Sequence, residues 1–379
     1  MRTRKIVIVS LLLAWFTTPI MAQPISSENG IPAACPPLPK RKTNPKTNVA
    51  RTPEQMEAEK LVSQAQGLLG TLSRENVMKA ISLLAQAINA DRDHAKAYAA
   101  LALAHANSTR YGDVPRQIAG QKTWENLTKA LSLDPDLIEA LRLFADRSVF
   151  YWWDYKCAEK TYKQALALEP QNARTHFAYA QLLGMMGNFE LAFKHIDQAV
   201  ASPDAAARNY VVRNSGRMRF MAHQYDWVLN HYEKVLASSP GNPAIPHFYR
   251  GLAYAQKGQF QEALAEHKLS VPSWKGDAGG VAALARAYAQ AGEVATARKI
   301  LKELLEREAR GEHVVEYQIA AIYEALDDVG ETFRWLNKAV DDGDGVLGWL
   351  GWLKHDPRWD RLRGDVRFKA LLKRVKLSK

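Results

Sequence analysis

The sequence predicts an all-α solenoid of stacked helix-turn-helix pairs, and three observations carry that expectation. Apolar and small residues recur every three or four positions along most of the chain, which is the period of a helix face. No run of alternating strand character bounded by turn residues interrupts it. The pattern also repeats as a whole: a block complete between Asn172 and Pro203 returns along the chain with the same break near its middle.

That block shows how one unit is built. Its first half places His176, Tyr179, Ala180 and Leu183 on one face, and its second places Ala192, Ile196 and Ala199. The small residues allow two helices to approach closely. Gly187 divides the halves because glycine enters a left-handed helix cap at little cost, and Pro203 stops the second helix.

The elements follow in chain order. Residues 1–22 read as a signal peptide: Arg2, Arg4 and Lys5 precede an apolar run from Ile6 to Phe16, with cleavage after Ala22. The run is shorter than the roughly 20 residues a membrane span needs. Cleavage would leave the protein in the periplasm; retention would anchor it in the inner membrane. Residues 23–52, with Pro24, Pro32, Pro36, Pro37, Pro39 and Pro45, read as a flexible linker unable to offset its ordering entropy by burial.

The array is expected over 53–345 as seven to eight helix pairs. The first runs from Glu54 to Leu69 and Val77 to Ala90. The second holds Tyr98, Leu101, Ala102 and His105, an insertion from Tyr111 to Gly120, then Trp124, Leu127 and Ala130. The third holds Leu141, Phe144 and Ala145, then Ala158, Tyr162 and Ala165; the fourth is the block described above. The fifth places Val212, Ser215 and Gly216 before Val228, Tyr232 and Val235. Gly251, Tyr254, Gly258, Ala263 and His267 mark the sixth, and Leu284, Ala285, Tyr288, Gly292, Ala297 and Leu301 the seventh. Ile319, Ala320, Tyr323, Leu336 and Ala339 mark the eighth. Residues 346–379, in which Phe368, Leu371 and Leu372 share a helical face, are expected to cap the open end of the solenoid.

This spacing resembles the tetratricopeptide repeat, which implies a right-handed superhelix with a concave groove. Two segments carry a narrower resemblance. Tyr151 to Glu159 leading to Pro170, and Asp356 to Arg363 followed by Asp365, Arg367, Phe368 and Leu371-Leu372, are similar to blocks of bacterial tetratricopeptide arrays. Those arrays form the C-terminal part of winged-helix regulators and adenylate-cyclase-like proteins. The likeness covers Ala95 to Leu377 and does not include their effector domain, so no DNA binding is carried over. Val366 stands where the closing motif usually has proline.

Composition limits the chemistry. At 379 residues and 47% hydrophobic content the chain can bury a sizeable core. The net charge of +11 collects in the first residues, in Lys40, Arg41, Lys42 and Lys46, and from Arg358 onward; it reads as solvated surface, with peripheral membrane contact as its further use. Cys157, beside Ala158 in a repeat helix, reads as a packed thiol and not as one end of a bridge to Cys35. No catalytic constellation stands out, so no enzyme is expected. His176 and His267 fall on packing positions, and His223 and His231 lack metal-motif spacing. Asp341, Asp342 and Asp344 lie among glycines as in a calcium loop but lack the distal glutamate, so neither a metal nor a cofactor is expected. Phe150, Tyr151, Trp152 and Trp153 read as a wedge between repeats.

One constellation points to binding. Asn209, Arg213 and Arg217 are spaced by four and share a helix face. Asn214 is adjacent, and Arg286 takes the template position of Arg217 two repeats later. The resemblance implies that these residues line the groove and grip an acidic or C-terminal carboxylate of a protein or peptide partner; arginine suits this because its planar fork binds carboxylate bidentately. The competing reading pairs these arginines with neighbouring acids. The expected function is an exported, non-catalytic scaffold with no nucleic-acid role; the alternative is a membrane-anchored regulatory or sensor subunit of an envelope complex.

Overall fold

The computed structural model describes residues 36, 38, 51–70, 73–109, 114, 116–238, 243–274, 277–310, 312, 314–342 and 348–378. The signal peptide, Cys35, Asp344 and much of the 111–120 insertion lie outside the described residues. Among those described there are eighteen α-helices and no strand.

The helices pair in order: α1 (Pro53–Leu69) with α2 (Arg74–Ala90), α3 (Ala95–Ser108) with α4 (Arg116–Leu133), and α5 (Ile138–Trp152) with α6 (Tyr155–Leu168). Next come α7 (Ala173–Met185) with α8 (Phe189–Val200), and α9 (Ala205–Asn214) and α10 (Gly216–Met221) with α11 (Tyr225–Ser238). The last pairs are α12 (Ala244–Gln256) with α13 (Phe260–Ser270), α14 (Ala278–Gln290) with α15 (Val294–Ala309), and α16 (Glu316–Ala325) with α17 (Val329–Asp342). Eight pairs result, and the expected positions Tyr179, Ala180, Leu183, Ala192, Ile196 and Ala199 are buried between their helices.

Local chemistry sets the boundaries. Thr52, Ser73, Asp154, Asn172, Asn188, Asp204, Asp277 and Asp365 each accept a hydrogen bond from a first-turn backbone N–H. First helices of successive repeats end on a left-handed residue at 153, 187, 223, 258, 292 and 327. In each, the next N–H bonds back to a carbonyl of the last turn, as Asn188 does to Leu183 (2.8 Å) and Glu293 to Tyr288 (2.9 Å). Glycine fills this position at 187, 258 and 292, whereas Trp153, His223 and Asp327 adopt it at some steric expense. Trp152 packs edge-on against Trp124 and near Phe144, between pairs two and three, as a wedge should.

Repeat five departs from the expected single helix. The Tyr232 hydroxyl donates to the Arg213 carbonyl (3.0 Å), and its ring occupies the space a side chain at Gly216 would need. A side chain inserted into the helical ladder breaks it, so the helix divides at Ser215.

Three expectations need correction. Residues 348–378 do not merely cap the end of the array. After α17 the chain forms 3₁₀ turns at Leu350–Trp352 and Pro357–Leu362 and then α18 (Val366–Arg374), running back along the inside of the superhelix as far as α5 and α6. Its apolar side chains are too many for one helix end: Trp349, Leu350, Trp352, Leu353, Trp359, Phe368, Leu371 and Val375 are all buried. Second, the linker is not wholly free, because Leu38 is half-buried against the cluster formed by α3 to α6. Third, Cys157 is disulfide-bonded and not a packed thiol; Cys35 is the only other cysteine in the sequence.

Candidate functional site

The groove expected to hold a partner is filled by the closing segment. Trp352 presses its ring where a side chain on Gly184 of α7 would stand, 2.7 Å from that Cβ position, and Gly351 meets Met185 in the same way. The Tyr155 hydroxyl donates to the Val375 carbonyl (2.8 Å), and Lys376 Nζ donates to that of Trp152 (2.9 Å). At the far side, Arg361 reaches Glu324 of α16 (2.8 Å) and Arg374 pairs with Asp341 of α17.

A buried ion pair locks the middle of the segment. Asp356 and Arg358, 0% and 1% exposed at their side chains, meet at 2.6 Å. The Tyr317 hydroxyl donates to Asp356 (2.9 Å) and Arg358 donates to Gln318 (2.7 Å), so both ions keep hydrogen-bond partners. Burial alone would raise the Asp356 carboxyl, but the Arg358 charge and the hydrogen bonds hold it below its usual range. Two guanidiniums lie over the Trp349 ring, Arg217 at 4.5 Å and Arg358 at 4.6 Å from its centre.

The five residues read from the sequence meet different fates. Arg217 donates to the Tyr249 hydroxyl (2.7 Å) and covers Trp349. Arg286 is buried, 3.5 Å from Glu324, and donates to Gln290 (2.8 Å). The structure thus brings Arg217 and Arg286 to the same wall, but the chain's own closing segment and acids engage them, and they are not an open peptide clamp. Asn214 donates to the Tyr210 carbonyl (2.7 Å). Asn209 stays exposed and Arg213 half-exposed.

Sequence reasoning missed a second feature, a cleft of about 680 Å³ between α6, α7 and α8. Leu166, Leu183, Met186 and Leu191 line it; Glu159, Lys163, Tyr179 and His195 form its polar end. Lys163 pairs with Glu159 (2.8 Å), to which the Tyr179 hydroxyl also donates (3.2 Å). Behind His195 lies His176, their Nδ1 atoms 2.8 Å apart, and His176 Nε2 is 2.9 Å from the Pro170 carbonyl. Burial and the neighbouring His176 push His195 down to about 4, so it is neutral at pH 7. The two histidines are 19 positions apart on separate helices, a separation that no local motif announces.

Among the described residues no three His, Cys, Asp or Glu side chains gather as a metal-binding set, and no helix is long and apolar enough to cross a membrane. Asp341 and Asp342 are engaged by Arg374 and Lys338 respectively.

Comparisons with known proteins agree with this architecture. A family model of the tetratricopeptide repeat matches residues 161–194, from within α6 to within α8. A search of curated proteins found no match. Among solved structures the chain is similar to a Rap protein complexed with competence and sporulation factor, at 13% identity and TM-score 0.53, covering 84% of this chain and 97% of that one. It is also similar to yeast Tom70, at 15% identity and TM-score 0.51, covering 88% of this chain and 70% of that one. A chain of the APC/C Cut9–Hcn1 hetero-tetramer is similar at 13% identity and TM-score 0.52, with 83% of this chain and 55% of that one covered. The chain therefore carries the tetratricopeptide repeat and folds as an all-α superhelical solenoid of that kind.

Proposed function

We propose that this protein is an exported, non-catalytic scaffold that binds a protein partner on the surfaces its closing segment leaves open. The observation that carries the reading is the filled groove: a solenoid that closes its concave face with its own chain keeps a fixed shape, and it presents clefts between repeats, the exposed Asn209 and the half-exposed Arg213. Similar solenoids have been solved with partners bound, Rap with competence and sporulation factor and Cut9 with Hcn1, which supports a protein-binding role by analogy of fold. Specificity for an acidic or C-terminal carboxylate has less support than the sequence suggested, because Arg217 and Arg286 are already engaged. The resemblance of the closing motif to the arrays of winged-helix regulators favours a sensor-like scaffold and adds no DNA-binding role. Export is supported by the N-terminal signal pattern together with the disulfide at Cys157, since disulfides persist in oxidising compartments such as the periplasm.

The test is affinity capture of tagged full-length protein from the cells that make it, followed by reconstitution with purified candidates and by mass measurement of the mature chain. A partner that rebinds in purified form, and a mature mass lacking the segment through about Ala22, are the expected results. Failure of every candidate to rebind refutes the scaffold; an intact N-terminus in a cytoplasmic fraction refutes export.

A further inference from the structure

The α6–α8 cleft has a hydrogen-bond polarity that the two histidines determine. A backbone carbonyl only accepts, so the proton facing Pro170 sits on His176 Nε2 (2.9 Å). In a neutral ring that leaves His176 Nδ1 with a lone pair, and His195 Nδ1, 2.8 Å away, must donate to it. His195 in turn keeps its lone pair on Nε2, on a ring that lines the cleft. The polar end therefore offers acceptors, this nitrogen and the Glu159 carboxylate, with the one cation there, Lys163, already paired to Glu159.

The rest of the cleft is mostly apolar, Leu166, Ala167, Leu183, Met186 and Leu191, with Asn188, whose side-chain oxygen caps α8, and with Tyr179 beside His195 at 4.7 Å between ring centres. Met186 stands 44% exposed at the rim, ready to lie along an incoming ring. A charged lysine or arginine would lose its hydration against these side chains. Serine or threonine would donate to His195 but leave the apolar walls uncovered. Phenylalanine would cover the walls and leave His195 Nε2 dry and unpaired. An aromatic ring carrying one donor satisfies both ends.

We propose that this cleft seats a tyrosine or tryptophan side chain of the partner protein, its O–H or N–H donating to His195 Nε2. The inference rests on the scaffold reading, and its test is kept separate from partner capture. Ligand-observed NMR titration of the full chain would use N-acetyl-tyrosinamide, N-acetyl-tryptophanamide and N-acetyl-phenylalaninamide as probes. The first two are expected to bind roughly two- to tenfold more tightly than the third, the range of one neutral hydrogen bond. His195→Phe should erase that preference while keeping the ring volume. Met186→Glu, at an exposed position that the fold does not need, should weaken all three. Equal binding of the three amides, a preference that survives His195→Phe, binding untouched by Met186→Glu, or no binding of any amide each overturns the proposal. If the amides fail while a partner still rebinds, the cleft assignment falls and the scaffold stands; if the preference is found but no partner rebinds, the cleft stands and the scaffold falls.

Discussion

Replacing Asp356 with asparagine removes the charge that faces Arg358 while keeping the shape of the site. Both side chains are essentially inaccessible and meet at 2.6 Å, so water cannot replace the lost carboxylate without opening the closing segment. Breaking a buried pair on one side costs about 3–5 kcal/mol, because an uncompensated charge stays behind. The two donors reach different carboxylate oxygens, the Arg358 backbone N–H one and the Tyr317 hydroxyl the other, so the single amide oxygen of asparagine keeps only one of these bonds and the loss is expected within that range, about 3–5 kcal/mol. That is roughly a hundredfold or more in the folding constant. Urea denaturation followed by tryptophan fluorescence reads it directly, since Trp349, Trp352 and Trp359 all lie in the segment. A loss under about 1 kcal/mol would refute the claim that this pair holds the segment in the groove. The companion variant Asp356→Leu with Arg358→Met removes both charges and should recover most of the loss. If the double variant is as unstable as the single one, the charge argument is wrong.

Further expectations concern pH, packing and redox state. Burial, then the nearby Arg286 and Arg358, push His267 down to about 3, below the ordinary 6.5. The unfolded chain therefore takes up a proton first, and stability falls as the pH drops from 6.5 towards 3, by about 3 kcal/mol per such histidine at pH 4.5. His267→Leu should flatten that limb by its share in urea melts at pH 7 and 4.5. Gly216→Ala would force a methyl group into the Tyr232 ring and should cost about 1–3 kcal/mol in thermal melts, beyond any gain in helix propensity. Thiol labelling of the native protein should find no free cysteine, and reduction should lower stability by about 2–4 kcal/mol.

The repeats were readable because each helix announces itself within a few residues. Asn172, Gly187 and Asn188 mark the boundaries of the fourth pair, and the small residues of its faces mark the close contacts. Trp153, His223 and Asp327 perform the same cap function without glycine, so propensity alone hides them; only their spacing from the glycine caps reveals them. The path of the closing segment was not readable, since an amphipathic helix ending in lysines and arginines also fits a terminal cap. Its excess of large apolar residues, Trp349, Leu350, Trp352 and Leu353 within five positions, was the available sign that it needed burial on more than one side. Arg217 and Arg286 stand out in the sequence, but nothing local to them shows that Trp349 and Glu324 arrive from elsewhere to meet them. The cleft is hidden for a similar reason: the sequence marks His176 only as a packing position and gives no sign that His195, on the next helix, meets it.

Ordinary solenoids fray from their ends, because each repeat is held only by its neighbours. Here a hydrogen bond joins residues 220 positions apart, from Tyr155 to Val375, and it closes only after the final turn of the chain exists. The apolar inner wall of repeats three to eight is covered by residues 348–378, which follow the last repeat in the sequence, and not by the repeats alone. Maturation thus becomes a late, chain-length-dependent step, slow in the way that high contact order makes folding slow. A chain cut before residue 348 is expected to expose that wall, and the full chain to melt as a unit where a simple array would peel apart repeat by repeat.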